Sequence, residues 1–118
     1  IIRGICCLYP QRKNLSENIK VISIIGHFLE HSRIFWFCNN GDNEVFIGSA
    51  DWMRRNLDRR IEAVTPIEDY ELKSKIYSLL QTYIKDDYFS WIMKEDGSYA
   101  KHALDSANNR SQIDLIEK

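Results

Sequence analysis

A chain of 118 residues is the size of one domain, and folding can withdraw roughly two-thirds of its unfolded surface from water. Apolar residues make up 44% of it and aromatic residues 12%, which supplies a core and excludes a disordered segment. Sixteen basic against seventeen acidic side chains leave no chain-wide field to attract nucleic acid, so any anion site must be local.

No apolar run nears the ~20 residues that cross a bilayer. The first residues also lack the charged, apolar and cleavage regions of a signal peptide, so a soluble, cytoplasmic protein is expected. Cys6, Cys7 and Cys38 are odd in number and show no CxxC spacing, which predicts buried, reduced thiols rather than disulfides or a zinc site. The opening "IIRGICCL" starts directly as a strand, as a piece of a longer protein would.

In chain order, Ile1 to Leu8 reads as a buried strand stopped by Tyr9-Pro10, and Gln11 to Asn18 as a polar loop. Ile19 to Ile25, rich in β-branched residues and closed by Gly26, predicts a second strand. Arg33 to Cys38 and Glu44 to Gly48 are strand-like around Asn39-Asn40-Gly41-Asp42-Asn43, whose side chains tolerate left-handed turn geometry; this is a β-hairpin. Ser49 to Arg60 follows as an Arg-rich loop, and Ile61 to Val64 as one more strand.

Leu72, Ile76, Leu79, Leu80 and Tyr83 then recur at helical spacing. The helix starts either at the capping-box pattern Thr65-Pro66-x-Glu68 or one turn later with Asp69 as cap, and ends near Lys85 to Asp87. "YFSWIMKEDGSYAKH" alternates as two strands around Glu95-Asp96-Gly97, and Ser111 to Lys118 begins a terminal helix. The three tryptophans, Tyr77 and Tyr83 are assigned to the core.

One stretch carries chemistry. In "FLEHSRIFWF" strand alternation puts His31 and Arg33 on one side at the hairpin's mouth, and the return strand exits through "GSAD", bringing Ser49 and Asp51 to the same edge. Arg54, Arg55, Arg59 and Arg60 surround Asn56 and Asp58, and guanidinium groups bind phosphate oxygens through paired donors. The competing reading is a solvated loop in which Asp58 and Glu62 neutralise the arginines. Arg3, inside an apolar strand, must find a partner or reach a cleft, because an unpaired buried charge costs several kcal/mol. His27 and His31 have the spacing of a metal pair but no third ligand, so no metal site is assigned; His102 is expected in solvent.

A His-x-Lys start with a Gly-Ser-x-Asn exit is the phospholipase-D-type pattern, which the chain resembles with Arg33 for Lys and Asp51 for Asn. Taken in order, "IRGICCL", "SENIKVISIIG", "FLEHSRI", "GSADWMRRNLDRRIE" and "TPI" resemble the C-terminal part of polyphosphate kinase of the histidine-phosphorylating type. The likeness is ordered from Ile2 to about Ile67, with "SADWM" followed by "RNLDRR" its most specific element; from Glu68 on it is looser.

The resemblance implies an α/β fold: a single, truncated phospholipase-D-like domain over 1–118, with a mixed β-sheet, a β-hairpin and flanking helices. It implies reversible transfer of the terminal phosphate of ATP to inorganic polyphosphate, with ADP as the other product. The phosphohistidine lies in another domain, and Mg2+ is held mainly outside this chain. By resemblance His31 is the second catalytic histidine, contacting ATP and suited to proton transfer, and Arg3 and Arg60 bind phosphate, with Arg33, Ser49, Asp51 and Asn56 in support. His27 stands where the family often has Arg. Partners implied are the remaining domains of the same enzyme and a second copy in a homo-oligomer; the fragment alone is expected to be inactive. Two other classes fit parts of the pattern: a phospholipase-D-like phosphodiester hydrolase, and a non-catalytic anion-binding or self-associating module whose strand edges pair between copies.

Overall fold

The computed structural model describes residues 1–102 and 108–117. Strands β1 (Ile22–Ile24), β5 (Ser90–Met93) and β6 (Tyr99–Lys101) form one sheet in the order β1-β5-β6. Strands β2 (Ile34–Phe37), β3 (Glu44–Gly48) and β4 (Val64–Pro66) form another in the order β2-β3-β4. The helices are α1 (Arg54–Arg59), α2 (Tyr70–Lys85) and α3 (Ser111–Asp114).

The chain is thus α/β, but the single mixed sheet expected from the sequence is replaced by two sheets, and every strand pair described is antiparallel. Short returns between β2 and β3 and between β5 and β6 dictate that sense, since parallel pairing needs a long crossover. Contacts divide the chain into two compact units, Ile1–Glu30 with Leu79–Lys118, and His31–Ser78.

In the unit His31–Ser78, the hairpin pairs Ile34 with Ile47 through to Phe37 with Glu44. Its return passes through left-handed backbone at Asn39, Asn40 and Gly41 (φ 36°, 53° and 101°), the residue types that carry least strain there. Val45 is buried, and the Trp36 and Tyr77 rings pack 5.3 Å apart.

Strand β4 lies later than the expected Ile61 to Val64. Ile61 is fully exposed, and Pro66 sits opposite Phe46 on an outer strand, where its missing N–H removes no ladder bond. The expected loop Ser49 to Arg60 contains α1, a helix with no apolar stripe and with Asn56 as its buried residue. Arginine and leucine favour helix, and an Arg54–Asp58 ion pair of 3.0 Å spans one turn. Of the two starts offered for the long helix, the later one is used: the Asp69 carboxylate accepts the Leu72 N–H at 2.9 Å.

In the other unit, Ile24, Tyr83 and Phe89 form a buried cluster with Leu79, Ile113 and Leu115 packed on it. Ile1 to Leu8 is not a strand. The chain bends at Arg3-Gly4, the Ile2 N–H reaches the Ile22 carbonyl at 2.8 Å, and Ile5 is 83% exposed. A strand also needs a continuous ladder, which an apolar sequence alone does not guarantee. The β5–β6 turn follows expectation: Gly97 takes φ 84° and Asp96 accepts the Ser98 N–H at 2.8 Å.

Asp86 is fully buried and organises this unit. One carboxylate oxygen accepts the N–H groups of Tyr88 and Phe89, and the other accepts the N–H and hydroxyl of Ser111. His102, expected in solvent, is half-buried instead, its Nδ1 3.3 Å from the Ser90 hydroxyl.

The cysteines are free, but Cys7 and Cys38 are exposed rather than buried, because the N-terminal run joins no sheet and Cys38 begins the hairpin turn. Trp52 and Tyr77 are likewise exposed rather than core; Trp52 stacks flat on Phe35 at 4.9 Å. Among the described residues no helix is long and apolar enough to cross a membrane.

Candidate functional site

The hairpin mouth is closed by the Gly48 N–H, which donates to the Arg33 carbonyl at 3.0 Å. Gly48 lets the strands approach closely here: a Cβ would lie 3.0 Å from the Ala63 carbonyl and 3.2 Å from Val64. From this mouth the half-buried Arg33 side chain grips Asp51 with two donors, Nε to Oδ1 at 2.9 Å and Nη2 to Oδ2 at 3.4 Å. Its remaining nitrogen, Nη1, donates to the His31 carbonyl at 3.1 Å. One guanidinium therefore fixes both the "GSAD" exit and the backbone of His31.

That geometry changes the role of Arg33. Sequence alternation faces His31 and Arg33 toward a common ligand, but β2 begins only at Ile34, so the alternation does not extend to His31. The Arg33 donors are turned to protein, whereas the exposed His31 ring makes no hydrogen bond among the described residues. The Arg33 hydrogen bonds hold the Asp51 carboxyl below the usual carboxylate range, against the opposing effect of desolvation and with help from the charges of Arg33, Arg55 and His31.

Ser49 and Asn56 meet on a residue that the sequence marked only as a neutraliser of arginines. Glu62 accepts the Ser49 hydroxyl on one carboxylate oxygen and the Asn56 amide on the other at 3.2 Å. The Ser49 oxygen also accepts the Ala63 N–H at 3.0 Å. Asn56 is 2% exposed, and its carbonyl oxygen has no partner among the described residues. Glu62 thus ties the strand exit to the inner face of α1 and, among the described residues, forms no ion pair with an arginine. No sequence spacing signals this; only the turn of α1 brings Asn56 within reach.

The remaining arginines are exposed. Arg60 ends α1 in extended backbone, free of the helix. Arg54, Arg55, Asp58 and Arg59 line an open concavity of about 380 Å³. Arg3, in the other unit, is exposed, so the argument from burial inside a strand does not hold for it.

Among the described residues no group of three or more His, Cys, Asp or Glu side chains converges to hold a metal. Asp51, Asp58 and Glu62 are each engaged with protein donors. The described donor set does not fit a magnesium ion held by this chain alone.

The family model described as polyphosphate kinase C-terminal domain 2 matches residues 1–112. A polyphosphate kinase of Parasynechococcus marenigrum is 56% identical over the whole chain, and that of Pseudomonas aeruginosa 44%. The chain spans 17% of the length of each of these relatives. The crystal structure of polyphosphate kinase from Porphyromonas gingivalis superposes with a TM-score of 0.88 at 37% identity, over 97% of this chain and 18% of that one. The chain therefore belongs to the polyphosphate kinase family and matches its C-terminal domain 2 over residues 1–112.

Proposed function

We propose that the chain supplies one side of the phosphoryl-transfer site of a polyphosphate kinase, as part of a phospholipase-D-like domain, and that the whole enzyme moves the terminal phosphate of ATP reversibly to polyphosphate. In this reading a histidine of another domain attacks the terminal phosphorus and ADP leaves. The chain end then takes the phosphoryl group from that histidine. His31 contacts the nucleotide phosphates and exchanges a proton with the oxygen that enters or leaves, while Arg3 and Arg60 stabilise the charge spread over the transferring group. Arg33 is a positioning residue, and Ser49, Asp51 and Asn56 support the same wall.

The observation that carries this reading is the exposed His31 ring, left unengaged while Arg33 holds its backbone. Exposed Ile5, Leu29, Leu57 and Ile61 support burial against other domains of the same enzyme and, in a homo-oligomer, against a second copy. Magnesium, which supplies charge neutralisation at phosphates, is assigned to residues outside this chain. With ATP as phosphoryl donor, the enzyme is assigned to the cytoplasm.

Arg3→Ala and Arg60→Ala in the full-length enzyme test the assignment. Losing one preorganised contact to a transferring phosphoryl group costs about 3 kcal/mol, so turnover should fall on the order of a hundredfold. Both residues are exposed, so the unfolding temperature should not move. Unchanged kinetics in both variants would overturn their role.

A further inference from the structure

We propose that Glu30 anchors a clamp that fixes the point from which His31 departs, and that Tyr83 and Gln112, which hold the Glu30 carboxylate, are positioning residues for the phosphotransfer. The inference rests on the reading of His31 above and extends it to residues of α2 and α3.

The stretch from Gly26 to Ser32 lies between β1 and β2 and joins no ladder. Side chains hold it instead. The Gln112 carboxamide takes Phe28 at both its polar groups, Oε1 accepting the Phe28 N–H at 3.0 Å and Nε2 donating to the Phe28 carbonyl at 2.7 Å. Nε2 also donates to one Glu30 carboxylate oxygen at 3.1 Å, and the Tyr83 hydroxyl donates to the other at 3.0 Å. Gln112 is 3% exposed and Tyr83 8%, so water competes little for these bonds, and a charged acceptor strengthens them. Phe28 and Leu29 are exposed within this chain, so apolar burial does not hold the segment in their place.

The donors are themselves fixed. The Tyr83 ring packs in the buried cluster with Ile24 and Phe89, and Gln112 follows Ser111, whose N–H and hydroxyl are tied to the buried Asp86. Glu30 is peptide-bonded to His31, so the link to the histidine is covalent. Arg33 then holds the next carbonyl, that of His31, at 3.1 Å. The His31 backbone is thus restrained before and after its α-carbon, while its ring stays exposed. Displacing a reacting group by about 1 Å can cost ~10²-fold in rate, which gives such restraint a kinetic consequence.

The test uses the full-length enzyme, assayed in both directions well below the unfolding temperature of each variant. Glu30→Ala removes the anchor, and kcat should fall about tenfold, less than the full cost of misplacement because Arg33 still holds the His31 carbonyl. Gln112→Glu, which sets one carboxylate against another and deletes both Nε2 donors, should lower kcat at least as much. Tyr83→Phe keeps the ring in its cluster and removes one donor, so its loss should be smaller. Glu30→Gln retains one carbonyl acceptor and should recover part of the activity lost in Glu30→Ala.

A cycle against His31→Asn separates positioning from stability. If the clamp acts through His31, adding Glu30→Ala to His31→Asn should lower the residual turnover no further. Equal losses in the two backgrounds, or wild-type kcat in both Glu30→Ala and Gln112→Glu while His31→Asn is impaired, would overturn the clamp alone. Wild-type turnover in His31→Asn itself would overturn the phosphotransfer reading, and the clamp with it.

Discussion

Asp86 offers the most direct test of the physical account of the fold. Its carboxylate is 0% exposed and accepts four hydrogen bonds, from the N–H groups of Tyr88, Phe89 and Ser111 and from the Ser111 hydroxyl. Ser111 is also 0% exposed, so its donors cannot turn to water when the acceptor is lost. Hydrogen bonds to a charged acceptor contribute about 1.5–3 kcal/mol each, and stranded buried donors cost about 1–3 kcal/mol each. These values are not additive, and on the order of 4 kcal/mol is expected for Asp86→Ala.

Asp86→Asn should cost nearly as much. Its carbonyl can serve Tyr88 and Phe89, but its NH2 group then meets the Ser111 N–H, donor against donor. Amide hydrogen exchange of the intact protein reads the effect locally. Protection at Phe89 and Ser111 should fall by roughly three orders of magnitude in both variants, at 1.4 kcal/mol per decade. A wild-type exchange pattern in Asp86→Asn would refute the reasoning, because it would mean that the Ser111 bonds contribute nothing.

The Arg33–Asp51 pair gives a pH prediction. The folded Asp51 carboxyl titrates below its unfolded value of about 3.9, so its contribution is complete above that value and is lost as pH falls through the folded midpoint. A carboxyl NMR titration should show the depressed midpoint in the wild type and its return upward in Arg33→Gln; an unmoved midpoint would contradict the pairing. Gly26→Ala should destabilise its unit by about 1–3 kcal/mol, because the added Cβ collides with the Gln112 side chain. That side chain cannot easily yield, being held by the Phe28 N–H at 3.0 Å, the Phe28 carbonyl at 2.7 Å and Glu30 at 3.1 Å. Thermal unfolding that matches the wild type would show that Gln112 moves freely.

The parts of the fold legible in sequence are those set by local chemistry. The Asn-Asn-Gly turn specified the hairpin, Asp69 was one of two caps named, and Glu95-Asp96-Gly97 marked the β5–β6 turn. The errors have one physical origin, in that pattern does not report partners. Ile1 to Leu8 has strand composition but no ladder, and α1 is held by an ion pair and a buried asparagine rather than by an apolar stripe.

The site divides in the same way. His31, Arg33, Ser49 and Asp51 could be named from their spacing, and Arg33 does reach Asp51 across the hairpin mouth. That the Arg33 donors turn to Asp51 and the His31 carbonyl, and that Glu62 gathers Ser49 and Asn56, depends on side-chain geometry created by folding.

The central claim is that His31 acts at the transferring phosphate. Its most direct test is the full-length enzyme with His31→Asn, followed for polyphosphate synthesis from ATP and for the reverse formation of ATP. Removal of a general acid–base group lowers turnover about 10²–10⁴-fold, so both directions should fall by at least about a hundredfold with the fold intact. Wild-type turnover in either direction would contradict the account.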